Sequence, residues 1–428
     1  MLPPTHSLQF RVHTRVLLTL LVALATVAVL WAEPPYRAAL RQAAEAQKAG
    51  NLPVAIEHLE AVRALRPDYP RALVALARAY AAAQRPADAL AVLEDAARRG
   101  LAANLSRDPA LSSLKDHPDF ARVSAALLAN AEPRGTLAPA QTLPAQSGII
   151  ESVALDAQGN AYFADVRERC IWHRAADGSL RRFTAEDRKL LGAFGLALDP
   201  ARGVLWASTS AVPVTRGYDA ASEKGRAVLI AFDLATGRAR ESLALPAASG
   251  EHVLGTIRLG TDGAVYASDS SSPVIWRAAP GATQLEAWLE HTEFGSLQGL
   301  AFSADGRTLY AADYANGIWS IDVATKTPAL LRPAADAALF GIDDLQYRDG
   351  SLIAVQNGSS PARILRIAIA DGVASAEVLA RSPDLADAAT GTFVGSQFVF
   401  IGNSGWALHE RATEEPPPRD VRLISLTL

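Results

Sequence analysis

The sequence predicts a multidomain chain: an all-β six-bladed propeller over residues 149–428, preceded by an all-α segment of paired-helix repeats and an N-terminal apolar helix. Three observations predict it. A strand–turn–strand unit recurs six times after residue 149, at the spacing of about 40 residues that one propeller blade needs. Residues 36–130 repeat on themselves at about 34 residues, the period of a two-helix unit. An uncharged apolar run near the N-terminus follows a basic flank. Composition agrees with this reading. The 41 Lys and Arg against 45 Asp and Glu give a net charge of −4, which excludes the basic stripe of a dedicated nucleic-acid binder. Half of the 428 residues are hydrophobic, enough for a large core.

At the N-terminus, Arg11, His13 and Arg15 precede the run from Val16 to Ala32, and Glu33-Pro34-Pro35 follow. About 17 uncharged residues behind a basic flank suit either a signal peptide or a short membrane span. Leu30, two residues before Ala32, makes a poor cleavage site. Residues 1–35 therefore read as a signal peptide or a signal-anchor helix, the uncleaved anchor being preferred. In both forms everything after Glu33 is delivered to the exported, periplasmic side, and an anchor would hold the chain in the inner membrane. The single cysteine, Cys170, excludes an intrachain disulfide framework and a Cys-based zinc cluster. Its place in Cys170-Ile171-Trp172 marks it as a small buried hydrophobe.

Residues 36–130 are alanine-rich and patterned for helix. Arg37-Ala38 recurs as Arg71-Ala72, and Ala55, Leu59 and Glu60 recur as Ala89, Leu93 and Glu94. Gly50-Asn51 separates the first two helices, and Arg66-Pro67-Asp68-Tyr69-Pro70 separates the repeats. A further helical stretch, Leu111 to Leu128, is interrupted at His117-Pro118 and serves as a cap. The segment resembles the tetratricopeptide family. Such repeats present a concave face to a peptide or protein partner, or here form a spacer packed on the next domain. Residues 131–148 are the linker, and Gln141-Thr142-Leu143 could donate a strand that closes the propeller ring.

In the propeller the clearest unit is Glu151-Ser152-Val153-Ala154-Leu155, a turn, then Ala161-Tyr162-Phe163-Ala164-Asp165. It returns as Gln298-Gly299-Leu300-Ala301-Phe302, a turn, then Leu309-Tyr310-Ala311-Ala312-Asp313. Weaker copies start near Phe194, Gly255, Asp343 and Ala388. Asp165, Asp269 and Asp313 end the second strands, and Trp172, Trp276 and Trp319 sit in the third. Recurrence from blade to blade assigns the aspartates to turns, accepting local backbone hydrogen bonds, and the tryptophans to packing.

The innermost strand of each blade lines the central channel, so function should sit where its opening position breaks the small or apolar norm. That position reads Glu151, Phe194, Gly255, Gln298, Asp343 and roughly Ala388. Two carboxylates and an amide oxygen, from Glu151, Asp343 and Gln298, thus converge on one axial point. Oxygen-only ligands suit a hard divalent cation of the Ca²⁺ or Mg²⁺ type, and equally describe a wet polar channel without metal. A bound ion would polarise a carbonyl and acidify water, as hydrolysis of an ester or lactone requires. Asn357, in Gln356-Asn357-Gly358, either faces this mouth and binds a substrate hydroxyl or belongs to a plain turn. His252, His291 and His409 are scattered, without metal-ligand spacing. Asp343 and Asp344 should point to opposite sides of their strand, Asp343 into the channel and Asp344 toward backbone donors or the next blade.

Over residues 149–428 the chain resembles the superfamily of senescence marker protein, gluconolactonase and NHL-repeat proteins. Glu151-Ser152-Val153 matches the superfamily's opening segment, whose Glu is a metal ligand. Gln298-Gly299-Leu300 matches its Asn-Gly-Leu with Gln for the ligand Asn, and Asp343-Asp344-Leu345 matches its Asp-Gly-Leu. The resemblance implies that Asp343 is both ligand and catalytic base. Where the superfamily carries Arg-x-Asn-Asp-Gly for its sugar substrate, this chain has Leu254-Gly255-Thr256-Ile257-Arg258-Leu259. Two functions are thus expected: an exported metal-dependent hydrolase of a small lactone or ester, or a non-catalytic scaffold that assembles protein partners at the membrane through its helical repeats.

Overall fold

Alanine at the helix contacts lets neighbouring helices approach closely, and the helical segment is built on that. The computed structural model describes residues 34–146, 148–184, 190–246, 250–385, 387–411 and 414–428. The expected signal or anchor helix over residues 1–35 lies almost wholly outside them. Among the described residues no helix is long and apolar enough to cross a membrane. Four helices, α1 (Pro35–Lys48), α2 (Leu52–Leu65), α3 (Pro70–Ala82) and α4 (Pro86–Arg98), form two antiparallel pairs. Each has proline in its first turn, where the missing N–H costs nothing. Ala43, Ala77, Ala79, Ala89 and Ala96 are buried with Leu59, Leu73, Leu76 and Leu93 in one core. Two 3₁₀ turns and α5 (Phe120–Ala129) follow, burying Leu111, Leu114, Val123 and Leu127 against the same core as the expected cap.

Six sheets of antiparallel four-stranded meanders then make the propeller. Their innermost strands are Ile150–Leu155, Gly192–Asp199, Leu254–Leu259, Leu297–Phe302, Asp344–Arg348 and Gly391–Val394. Blade five gains a short parallel fifth strand, Arg332–Pro333. Blade six has only three strands of its own. Its fourth is Leu137–Gln146, which runs antiparallel to Arg419–Thr427 with fully buried Leu143 opposite Val421. This strand from before the first blade closes the ring.

The recurring aspartates are structural, and they bind the tryptophans as well as the backbone. Trp172, Trp276 and Trp319 donate Nε1–H to Asp165, Asp269 and Asp313 at 3.1, 3.0 and 3.2 Å. Asp313 also accepts from the N–H groups of Gly295, Ser296, Ala315 and Asn316. In blade five the pair becomes Gln356 and Arg363. Arg363 donates Nε–H to the Gln356 amide oxygen and Nη1–H to the Gly100 carbonyl, 2.8 Å away in the helical segment.

Residues 33–428 make one compact unit. The helical segment docks on blades four and five through side chains that meet main chain. Arg66 donates to the Ala315 carbonyl and to Asn316 Oδ1, both at 3.2 Å. Arg99 donates to the carbonyls of Ala334 (3.2 Å) and Ala337 (2.9 Å), and Asp68 accepts the Leu339 N–H at 2.8 Å. These contacts hold the turn after Tyr314 and the segment that leads into Asp343.

Candidate active site

A regular strand would alternate its side chains, and the inner strands break that alternation where they enter the channel. In blades one to four the ladder with the second strand slips by one residue there, between Ile150 and Ser152, Ala193 and Leu196, Leu254 and Ile257, and Leu297 and Leu300. Each slip is a β-bulge, which re-aims a side chain. The bulged residues include Glu151, Phe194, Gly255 and Gln298, all of which line one axial cavity. In blade five Asp343 lies one residue ahead of its strand, with its N–H on the Val355 carbonyl at 2.8 Å. Glycine follows two of the bulges for a steric reason: a Cβ on Gly195 would lie 2.4 Å from the Gly255 oxygen, and one on Gly299 2.5 Å from the Leu345 nitrogen. Neighbouring inner strands touch at these points.

The cavity measures about 480 Å³ and is lined by Glu151, Gln298, Asp343 and Asn357, so the four candidates come together. Blade six is corrected. Its channel position is Thr390, whereas Ala388 is 1% exposed in an apolar cluster. The strand begins at Gly391, two residues later than the turn alignment implies.

Three lining residues escape the sequence reading: Asp387, Tyr314 and Trp406. Trp406 starts a short helix, Trp406–Arg411, in the long connection after the second strand of blade six. It donates its indole N–H to Glu151 Oε2. Asp387 Oδ2 accepts the N–H of Gly405 at 2.6 Å and of Ala407 at 3.4 Å, fixing that connection. Its length was the available signal, because insertions in one repeat gather on the binding face.

Electrostatics define the site. Three carboxylates, Glu151, Asp343 and Asp387, line the cavity, and no Lys, Arg or His is among the described lining residues. Burial, then the Asp343 charge, raises the Glu151 carboxyl well above its ordinary range. Burial, then the charges of Asp344 and Asp387, pushes Asp343 up to about 7 against a hydrogen bond from Asn357. Their partners are neutral donors.

Asp344 points away from the cavity. It is fully buried, accepts the Gly391 N–H of blade six at 3.0 Å and pairs with Arg258 of blade three at 2.8 Å. Arg258 thus braces the channel wall and faces a second cavity of about 250 Å³ that shares Gly195, Thr256 and Thr390 with the first. Asn357 is a strut. Its Nδ2–H donates to the Ala388 carbonyl at 2.9 Å, its Oδ1 accepts from the Tyr314 hydroxyl at 3.0 Å, and its side chain bonds Asp343. The substrate-hydroxyl role expected of it competes with these commitments.

An oxygen-ligated divalent ion fits this donor set, because the half-buried acids have no counter-charge among the described lining residues. Among the described residues no three His, Cys, Asp or Glu side chains form a metal cluster. The amide oxygen of Gln298 would have to complete such a site. Its Nε2 is turned to Ser296 Oγ at 3.3 Å.

Residues 46–105 match the family model for the tetratricopeptide repeat. The helical segment carries tetratricopeptide repeats. No curated protein matches the chain. Solved structures similar to it include a protein described as a gluconolactonase, at 17% identity and TM-score 0.47, with 69% of this chain and 97% of that one covered. Virginiamycin B lyase from Staphylococcus aureus, solved with quinupristin, is 17% identical at TM-score 0.46, covering 67% and 83%. PQQ-bound aldose sugar dehydrogenase from Streptomyces coelicolor is 14% identical at TM-score 0.47, covering 69% and 98%. At such similarity no ligand or reaction of theirs passes to this chain.

Proposed function

We propose that the protein is an exported, divalent-cation-dependent hydrolase of a small lactone or ester, with Glu151, Gln298 and Asp343 holding the ion and Asp343 acting as base. The observation that carries this reading is the axial cavity lined by three carboxylates and no cationic side chain among the described residues. A divalent ion there would polarise the acyl oxygen and make water a better nucleophile at neutral pH. Asp343, an ionised carboxylate beside the cation, would accept the proton that water loses. Asn357 and Tyr314 hold that carboxylate in place, and Trp406 fixes Glu151 while shielding the cavity with Phe194.

Metal analysis of the purified protein tests this directly. One Ca²⁺ or Mg²⁺ per chain, lost in Glu151→Gln and in Asp343→Asn, is the expected outcome, together with cation-dependent turnover of lactones or esters. A metal-free wild type that stays inert on adding either ion would leave the non-catalytic scaffold as the better reading.

A further inference from the structure

The cavity is two-sided. Its acids stand on the arc formed by blades five, six and one, while Phe194, Val212 and Val253 come from blades two and three, and Trp406 of blade six reaches from Glu151 to Phe194. Phe194, Val212, Val253 and Trp406 belong to one apolar cluster, with the Phe194 and Trp406 ring centroids 6.1 Å apart. Much of the polar lining is already engaged. Thr390 Oγ1 donates to the Glu151 carbonyl at 3.1 Å, Ser270 Oγ to the Val253 carbonyl at 3.5 Å, and Asn357 Nδ2 to the Ala388 carbonyl. On the side of Phe194, Val212 and Val253 a polyhydroxylated ring would leave its hydroxyls against apolar side chains, and each unpaired one costs binding energy. Charge restricts the ligand further. Three carboxylates against one dication leave the cavity net negative, so an anionic ligand meets repulsion with no arginine or lysine among the described lining residues to offset it.

From this we infer that the substrate is an uncharged lactone or ester carrying an apolar arm, which lies on Phe194, Val212, Val253 and Trp406 while the acyl group faces Asp343. The inference rests on the hydrolase reading and adds the substrate class to it. Water adds across the acyl carbon–oxygen bond: the acyl carbon takes the hydroxyl, the departing oxygen takes a proton, and the new acid ionises to a carboxylate. The product is therefore an anion in a negative cavity, which favours its release. A volume of about 480 Å³ has room for a five- or six-membered ring and an arm of several carbons.

Two series on the full-length protein test it. Turnover of γ-butyrolactone, γ-hexanolactone and γ-octanolactone is measured with saturating Ca²⁺ or Mg²⁺, alongside glucono-δ-lactone and a γ-lactone whose arm ends in a carboxylate. The value of kcat/KM is expected to rise about threefold to fourfold per added methylene, the equivalent of ~0.8 kcal/mol each, with the last two compounds at least tenfold poorer. Phe194→Ala, and Phe194→Leu should the first variant fold badly, should flatten that dependence. Preference for the sugar lactone, or equal rates along the series, overturns the inference. Binding of the matching γ-lactams, which resist hydrolysis, is measured by calorimetry to separate the two readings. If no lactone is hydrolysed but lactam affinity climbs with arm length, the hydrolase reading fails and the apolar wall stands; affinity independent of the arm removes the wall as well.

Discussion

Asp343 and Asp344 are adjacent acids with opposite circumstances. Asp344 is paired with Arg258 and the Gly391 N–H, whereas Asp343 faces Glu151 and Asp387 with no cationic side chain beside it among the described residues. Its carboxyl keeps a proton up to about pH 7 in the folded ion-free protein, but only to about pH 4 in the unfolded chain. The native state therefore binds more protons between those values, and stability must fall as pH rises through that window. Thermal melts in chelator should show Tm dropping from pH 5 to pH 8. Asp343→Asn should flatten that slope and raise Tm at pH 8, and a variant that melts lower than wild type at pH 8 would contradict the assignment. The tryptophan ties offer a second measurement. Trp276→Phe removes the bond to buried Asp269 and should cost about 1.5–3 kcal/mol in urea unfolding, as for a hydrogen bond to a charged group. Trp206→Phe should cost distinctly less, because the Trp206 indole N–H is buried without a partner among the described residues. Equal losses would mean that ring volume, not the Asp bond, sets the energy.

At the scale of elements, the blade repeat was legible because alternation and turn glycines recur in a register that sequence comparison can follow. Glu151, Gln298 and Asp343 were legible for the same reason, each being a polar break at a repeated position. Bulges were not, since an inserted residue looks in sequence like one more strand residue; it shows only as a slipped ladder, as between Leu297 and Leu300. Blade six hid its Thr390 because its first strand, Gly391–Val394, is short and gives alternation little room. Trp406 and Asp387 lie outside the strands, where periodicity says nothing. The Asp–Trp ties were half legible: recurrence marked both partners as structural, but the bond between them depends on which rotamer the packed indole adopts.

On the scale of the whole molecule, the tetratricopeptide repeats and the propeller share hydrogen bonds that neither can satisfy alone. Arg363 is buried between Gln356 and the Gly100 carbonyl, and burial pushes its pKa down to about 10. Separating the two parts would strand it, along with the Leu339 N–H now held by Asp68. Residues 34–428 should accordingly unfold in one calorimetric transition, and Arg99→Ala should lower its midpoint by about 1–4 °C, the equivalent of about 1–3 kcal/mol of lost charged hydrogen bonds. Two resolved transitions in the wild type would show that the contacts are energetically idle.

The closing strand also imposes an order in time. Leu137–Gln146 leaves the ribosome well before its partner Arg419–Thr427, and at about 5–20 residues per second the interval is of the order of 15–50 s. For that long a strand waits with both sides open, a natural template for a neighbouring nascent chain. Pro139 and Pro144 interrupt its row of N–H donors, and in the finished ring the strand is an outer edge, where proline is tolerated. The two prolines thus guard this edge during synthesis, and replacing them with residues that can donate should raise the fraction of newly made protein lost to aggregates.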